Sequence, residues 1–366
     1  MKSRILFVSC GRLLAELINS RIQPAVATQQ FEKTFVFATS NGPAYGDVTY
    51  INIPPFLRRL KKNSPLKVLR LVCEFFQLLR HALKYKPLVI WGIYTLPYGL
   101  YSVIVARFSG SRSIVSVIGG TVEIETYYRL GVLLKRLNLW QLRKADIVTV
   151  MGSKVLSYLL DHGIQREKLV IYPGAIDVSL FKYTEKEKST DVLFVGTLRR
   201  LKGPDRVLQA VQELKQDFPD ISCKIVGRGY LKDSLAQYVA VNHLENNVEI
   251  LGFVDSTIPY FQDAKIAMIP SRSEGLPMVM LEAMSCGVVP VVSNVGSVSD
   301  VAVHGFNAMI VEDYLDIRAY HRCAKELLAN PDKLREMRAN AIRTVKENYS
   351  VQAQSEIFGR IISKLI

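Results

Sequence analysis

The sequence predicts an α/β protein of two doubly wound, Rossmann-like domains facing each other across a cleft. Three observations carry this expectation. The chain has 366 residues, 49% of them hydrophobic, with 22 Gly and 15 Pro. That is ordinary globular composition and enough length for two domains. Apolar strands alternate with helical stretches in two successive series, the pattern of parallel sheets covered by helices. Between the series, residues 172–190 read YPGAIDVSLFKYTEKEKST, rich in turn formers and charge, and form the expected linker. No internal repeat or low-complexity tract is present.

In the first series, strands are expected at 4–9, 34–38, 48–53, 88–93, 113–118 and 146–150, separated by helical stretches. Met1 to Arg4 leads straight into ILFVSCG, a strand followed by a turn, so no leader is expected. Pro87 to Ala106 is twenty residues without a charge, enough to cross a bilayer. Pro87, Gly92, Pro97 and Gly99 interrupt it, and Tyr94, Thr95, Tyr98 and Tyr101 dilute it. It reads as strand 88–93, a Tyr/Pro loop and a helix over 97–108. In the second series, strands are expected at 191–195, 222–226, 248–250, 265–269, 288–292 and 308–311, with helices near 203–217, 231–240, 277–285 and 316–329. A last helix, from about Tyr349 to Leu365, has no strand after it. These elements place domains at 1–175 and 176–348, with a terminal helix over 349–366.

Composition narrows the partners. Cys10, Cys73, Cys223, Cys286 and Cys323 show no paired spacing, which fits free thiols in a reducing cytoplasm. Residues 1–180 hold 24 Lys and Arg against 10 Asp and Glu, whereas 181–366 hold 23 against 23. All of the net charge of +14 therefore lies in the first half, which points to a face that meets something anionic. Nucleic acid is not expected, because no basic stripe interleaved with aromatics, finger spacing or RNA-binding strand motif occurs. An anionic membrane surface is. In FLRRLKKNSPLKVLRLVCEFFQLLRHALKYK, residues 56–86, Arg58, Arg59, Lys61 and Lys62 alternate with Phe56, Leu57 and Leu60. Leu66, Leu69, Val72, Cys73, Phe76, Leu79 and Leu83 then recur with helical spacing. A basic amphipathic helix can lie in a membrane interface; the same pattern also suits a domain helix with a solvated basic face.

The chemistry concentrates at 264–292, AKIAMIPSRSEGLPMVMLEAMSCGVVPVV. An apolar strand runs into a Ser/Arg/Ser loop, then Glu274, Gly275 and Leu276, then a helix opening at Pro277. Pro suits a first helical position because its missing N–H is not needed there, and Gly287 suits the residue past a helix end. A helix start in this setting is an anion site. Glu282 stands alone in an apolar helix, where a carboxylate is costly unless partnered. The spacing of Glu274 and Glu282 resembles the Glu–seven–Glu motif of the retaining nucleotide-sugar glycosyltransferases of family 4. The resemblance covers 145–313 most strongly and implies the GT-B architecture of two facing domains. It implies that Glu274 lies against the donor sugar as a catalytic residue and that Glu282 holds the nucleotide ribose, with Gly275, Leu276 and Pro277 lining the donor.

The same resemblance extends to GTLRRLKG, residues 196–203. Lys202 falls on the family lysine that clamps the donor diphosphate, and is the second catalytic candidate. The family arginine falls on Thr197, so either Arg199 or Arg200 takes its place or the clamp has one cation fewer; Gly196 opens the loop. Fixed cations here would stabilise a leaving diphosphate. Arg228 lies in the following Gly turn, and Phe253 and Val254 fall where the family reads the base through its main chain. Gly174, Asp177 and Phe181 fall on family positions that read as structural hinges. In the first domain, Gly11 is what remains of a Gly-rich donor turn. Gly119, Gly120 and Thr121 match a family Gly turn on the acceptor side. Glu123 either binds acceptor hydroxyls or caps a helix. No His occurs between His81 and His162, where the family often carries one; Trp91, Tyr94 or Tyr98 occupies that region, and Tyr94 is the acceptor-side candidate.

No Asp-x-Asp and no metal-spaced cluster occurs, so no metal and no cofactor is expected; the nucleotide-diphosphate sugar is a co-substrate. The reading is a retaining, metal-independent hexosyltransferase. It moves a sugar from a UDP- or GDP-linked donor to a glycan or lipid-linked acceptor in cell-surface polysaccharide synthesis, at the cytoplasmic membrane face. A nucleotide-sugar epimerase and a catalytically silent binding subunit of the same fold are the alternatives.

Overall fold

The computed structural model describes residues 3–10, 15–39, 41–42, 46–54, 67–129 and 131–366. The chain divides into two compact units, Met1–Ala175 with Val351–Ile366, and Ile176–Ser350.

The first unit has seven strands: β1 (Ser3–Ser9), β2 (Lys33–Ala38), β3 (Val48–Asn52), β4 (Pro87–Ile93), β5 (Arg112–Val117), β6 (Ile147–Val150) and β7 (Leu169–Ile171). They form one sheet in the order β3-β2-β1-β4-β5-β6-β7, parallel at every pairing. The helices are α1 (Ala15–Ala27), α2 (Lys67–Tyr85), α3 (Leu100–Ser109), α4 (Gly120–Arg129), α5 (Val132–Lys144), α6 (Ser153–Asp161) and, from the chain end, α13 (Val351–Ser363). The strand sequences are almost wholly apolar because both faces are covered. Phe358, Ile361, Ile362 and Leu365 of the terminal segment join Leu6, Val8, Trp91 and Tyr172 in one core cluster.

The second unit has β8 (Thr190–Val195), β9 (Cys223–Val226), β10 (Val248–Gly252), β11 (Ala264–Ile269), β12 (Val289–Ser293) and β13 (Met309–Val311). Their order is β10-β9-β8-β11-β12-β13, again parallel. Its helices are α7 (Pro204–Asp217), α8 (Lys232–Val241), α9 (Ile258–Asp263), α10 (Met278–Ser285), α11 (Ile317–Ala329) and α12 (Pro331–Asn348). In each sheet the strand order reverses between two neighbours, β1/β4 and β8/β11. Ligands of such sheets bind at that point, at the carboxyl ends of the strands.

The boundary between the two units, at Ala175/Ile176, falls within the 172–190 stretch, which is packed. Tyr172 is fully buried, Phe181 stacks edge-on against Phe261, and Lys188 is buried with its ammonium on the carbonyls of Phe261, Gln262 and Cys286. Burial pushes the Lys188 ammonium down to about 8. Several expectations need correction. The helix expected over 97–108 begins only at Leu100. Thr95–Gly99 form a tight turn in which Gly99 N–H donates to Tyr94 O at 3.0 Å. Pro277 stands one residue before α10, with φ −71° and an extended ψ of 109°. The short edge strand β7 and the charge-rich α12 were not expected. Among the described residues no helix is long and apolar enough to cross a membrane. All five cysteines are free, and burial pushes the thiols of Cys10, Cys223 and Cys286 up to about 12.

Trp91 anchors the first core. It is fully buried, packs on Tyr172 and Phe358 at ring separations of 6.0 and 5.0 Å, and donates from Nε1 to Ser116 Oγ at 2.8 Å. Trp91→Ala should destabilise the first unit by about 3–5 kcal/mol, a loss of roughly 10 °C in its melting transition. Calorimetry checks this; a shift of under a few degrees would mean the core collapses around the gap.

Candidate active site

In the second unit, two loops leave the carboxyl ends of the neighbouring strands β8 and β11. The first runs from Gly196 to Gly203. Gly196 N–H donates to Val226 O and Leu198 N–H to Arg228 O, both at 3.0 Å, so this loop is pinned to the Gly turn after β9. The pinning leaves no room for a side chain at Gly227: a Cβ there would stand 1.8 Å from Gly196 O. Thr197, Arg199 and Arg200 are exposed, whereas Lys202 is half-buried.

The second loop runs from Pro270 to Pro277. Arg272 N–H donates to Leu201 O at 2.8 Å and ties it to the first. Lys202 Nζ meets Glu274 Oε1 at 2.5 Å. Ser271 Oγ donates to the same oxygen at 2.6 Å. The structure therefore brings the two catalytic candidates into direct contact. The carboxylate is held through Oε1 by a cation and a hydroxyl. Glu274 is 10% exposed and Lys202 29%, so water screens the pair only partly. Gly275, Leu276 and Pro277, at the end of this loop, are buried, and Ser297 N–H donates to Gly275 O at 2.7 Å. Glu282 sits half-buried on α10, the helix that follows.

Phe253 is 63% exposed, and the Arg228 guanidinium lies over its ring at 4.9 Å. The pair makes a flat, cationic ledge. Val254 packs into the adjoining apolar cluster instead. His304, in a turn, accepts Ile310 N–H on Nδ1 at 3.0 Å.

In the first unit, Gly11 lies outside the described residues. Glu123 is fully engaged. Its Oε1 accepts Thr95 N–H at 2.7 Å, and its Oε2 accepts Ile118 N–H at 2.9 Å and Gly119 N–H at 2.7 Å. It thus joins the end of β4 to the Gly119–Gly120–Thr121 turn that opens α4. Burial pushes its carboxyl up, opposed by these amides. Tyr94 is 37% exposed and holds φ 69°, ψ 158°. A side chain rarely adopts that backbone, and such outliers gather at functional sites. Trp91 is core, and Tyr98 lines a small separate cavity with Glu74 and Gln77.

Three residues escaped the sequence reading. Ser271 had no signal beyond its place in the loop. Arg206, read only as part of a helix, lies beneath the second-unit loops. Arg21 is 2% exposed. Its guanidinium donates to Tyr172 O and contacts Met151 Sδ, and burial pushes it down to about 10. Among the described residues no group of His, Cys, Asp and Glu could hold a metal.

Residues 176–344 match the family model described as glycosyl transferases group 1. An uncharacterized glycosyltransferase of Haemophilus influenzae is 25% identical over 329 residues, covering 88% of this chain and 83% of its own. The crystal structure of Anabaena HepE in complex with UDP superposes with a TM-score of 0.78 at 17% identity, covering 99% of this chain and 100% of its own. The chain has the GT-B fold, and residues 176–344 carry the glycosyl transferases group 1 match. An uncharacterized glycosyltransferase of Methanocaldococcus jannaschii is 29% identical over 162 residues, 44% of each chain. The aligned stretch thus spans less than half of that relative. The expectation of two doubly wound domains in the GT-B fold holds.

Proposed function

We propose that the chain is a retaining, metal-independent hexosyltransferase that takes a sugar from a nucleotide diphosphate, and that the nucleotide is UDP. The Lys202–Glu274 contact carries this reading. At the switch point of a group 1 glycosyltransferase domain, it sets a cation where a diphosphate would leave and a carboxylate beside it. HepE has been solved with UDP and with UDP-glucose, which supports UDP over GDP.

On this reading the diphosphate sits between Lys202 and the start of α10, whose first N–H groups point out of the helix. Arg199 and Arg200 add exposed positive charge at the loop. The Lys202 ammonium shifts from Glu274 to the phosphate oxygens as the donor binds. Glu274 then faces the sugar, while Glu282 holds the ribose. The glycosidic bond breaks through an oxocarbenium-like state; the charge that grows on the diphosphate is met by groups already in place. The leaving phosphate takes the acceptor proton, and attack from the same face keeps the anomeric configuration.

The acceptor is a glycan or lipid-linked saccharide of cell-surface polymer synthesis, met by the first unit at the cytoplasmic face of the membrane. Tyr94 and the 119–121 turn lie at the carboxyl ends of β4 and β5, where it would bind. The excess charge of the first half supports a membrane-borne acceptor.

Incubation with UDP-hexoses and an acceptor mimic tests the reading. UDP should be released with a product of unchanged anomeric form, at the same rate in EDTA. Loss of the rate in EDTA with recovery on adding Mg²⁺ or Mn²⁺ would overturn metal independence. Release of an epimerised sugar nucleotide without acceptor would make the chain an epimerase.

A further inference from the structure

We propose that Arg206 is a positioning residue that holds the Lys202 loop and the Glu274 loop together. This role rests on the reading of the second unit as the donor site. Arg206 lies in the first turn of α7 and is 8% exposed. Its guanidinium reaches both loops. Nε and Nη2 donate to Pro270 O at 3.0 and 2.8 Å, and Nη2 donates to Arg200 O at 3.2 Å. Its other side lies over the Tyr314 ring at 5.2 Å.

Pro270 immediately precedes Ser271, whose hydroxyl fixes Glu274. Arg200 is two residues before Lys202. One planar fork thus grips the main chain just upstream of each catalytic candidate. Among the described residues no carboxylate pairs with this guanidinium; its hydrogen-bond partners are carbonyl oxygens. Burying a cation is costly, and an apolar residue would fill the same place on α7. The fork supplies what an apolar residue lacks: several N–H donors in a fixed plane. The neighbouring glycine fits this account. Gly203 holds φ +71°, and a Cβ on it would stand 2.4 Å from Arg206 Nη2 and 2.5 Å from Pro270 O. The residue after Lys202 must therefore be small because the guanidinium packs flat against it.

Arg206→Met keeps the apolar stem and removes the fork; Arg206→Lys keeps the charge and one contact. In the ligand-free protein, amides of 199–203 and 271–275 should exchange about tenfold faster in Arg206→Met, the scale of one lost hydrogen bond to a charged group. Those of β9 and β10 should not change. By calorimetry with UDP, Lys202→Ala should cost less affinity in the Arg206→Met background than in wild type, because residues acting through one another are not additive. Arg206→Lys should recover part of both effects. Unchanged exchange in both loops would overturn the proposal, and so would strictly additive losses of UDP affinity. A wild-type protein that does not bind UDP would instead remove the donor reading and leave the exchange result to decide on Arg206.

Discussion

Glu274→Ala is expected to lower turnover by about 10²–10³-fold, the scale of removing one preorganised group that meets the transition state. Lys202→Ala should do the same through the leaving diphosphate. Glu282→Ala should instead weaken nucleotide binding and leave the bound complex competent. Placement is the reason for the split. Glu274 lies on the loop after β11 and is held on Oε1 by Lys202 at 2.5 Å and Ser271 at 2.6 Å. Glu282 lies further along, within α10. Lys202→Ala has a second consequence. It leaves a carboxylate that is only 10% exposed without its cation, so the second unit should also melt lower. Steady-state kinetics that separate kcat from KM, with UDP affinity measured alongside, check the set. Wild-type rates in both Glu274→Ala and Glu282→Ala would remove the site assignment.

The fold was legible because buried parallel strands write themselves as apolar runs bounded by turns. LVIW at 88–91 and VVPVV at 288–292 need no tertiary information to be read. The misreadings occurred where that signal thins. Leu169–Ile171 is a three-residue edge strand, too short to stand out from a loop. α12 is mostly polar, though Leu334, Met337, Ala341 and Val345 are buried at helical spacing; Asn330 caps it by accepting Lys333 N–H at 3.1 Å and Pro331 starts it. Within the site, Lys202 and Glu274 stand out through their resemblance to family motifs, and the structure sets them in contact. Arg206 does not stand out, because a charge in the first turn of a helix ordinarily faces water. That it turns inward is decided by Pro270 O, just past β11 and 64 positions away in sequence. Glu123 shows the converse. Its type and place left hydroxyl binding and capping equally open, and only the three amides around it show where its lone pairs go.

Replacing Arg58, Arg59, Lys61 and Lys62 by Ser should weaken binding to anionic vesicles by roughly 10³-fold at low salt. Each cation near the surface contributes about 1 kcal/mol, and every 1.4 kcal/mol is a factor of about ten. These four lie outside the described residues and are read from the sequence, but α2, which follows them, supplies an independent observation. Val68, Leu69, Val72, Phe76 and Leu83 are 67, 48, 43, 60 and 50% exposed. Their spacing puts them on one stripe of the helix, while Leu78 and Ala82 turn into the core. A domain helix that merely covered its sheet would leave polar residues on that outer stripe. If the first unit meets a membrane, charge would draw it to the surface and the stripe would give it apolar area to insert. The two contributions separate by salt. At 1 M the Debye length is about 3 Å, so salt should mimic the quadruple variant. It should leave the insertion lost in Val72→Ser with Phe76→Ser. Activity on a soluble acceptor mimic should survive both changes, because Lys202, Glu274 and Glu282 lie in the other unit. Vesicle sedimentation at two salt concentrations decides. If only the stripe variant lost binding, insertion alone would hold the protein. If neither did, the basic cluster and the stripe would both face water, and the acceptor would have to be a soluble glycan.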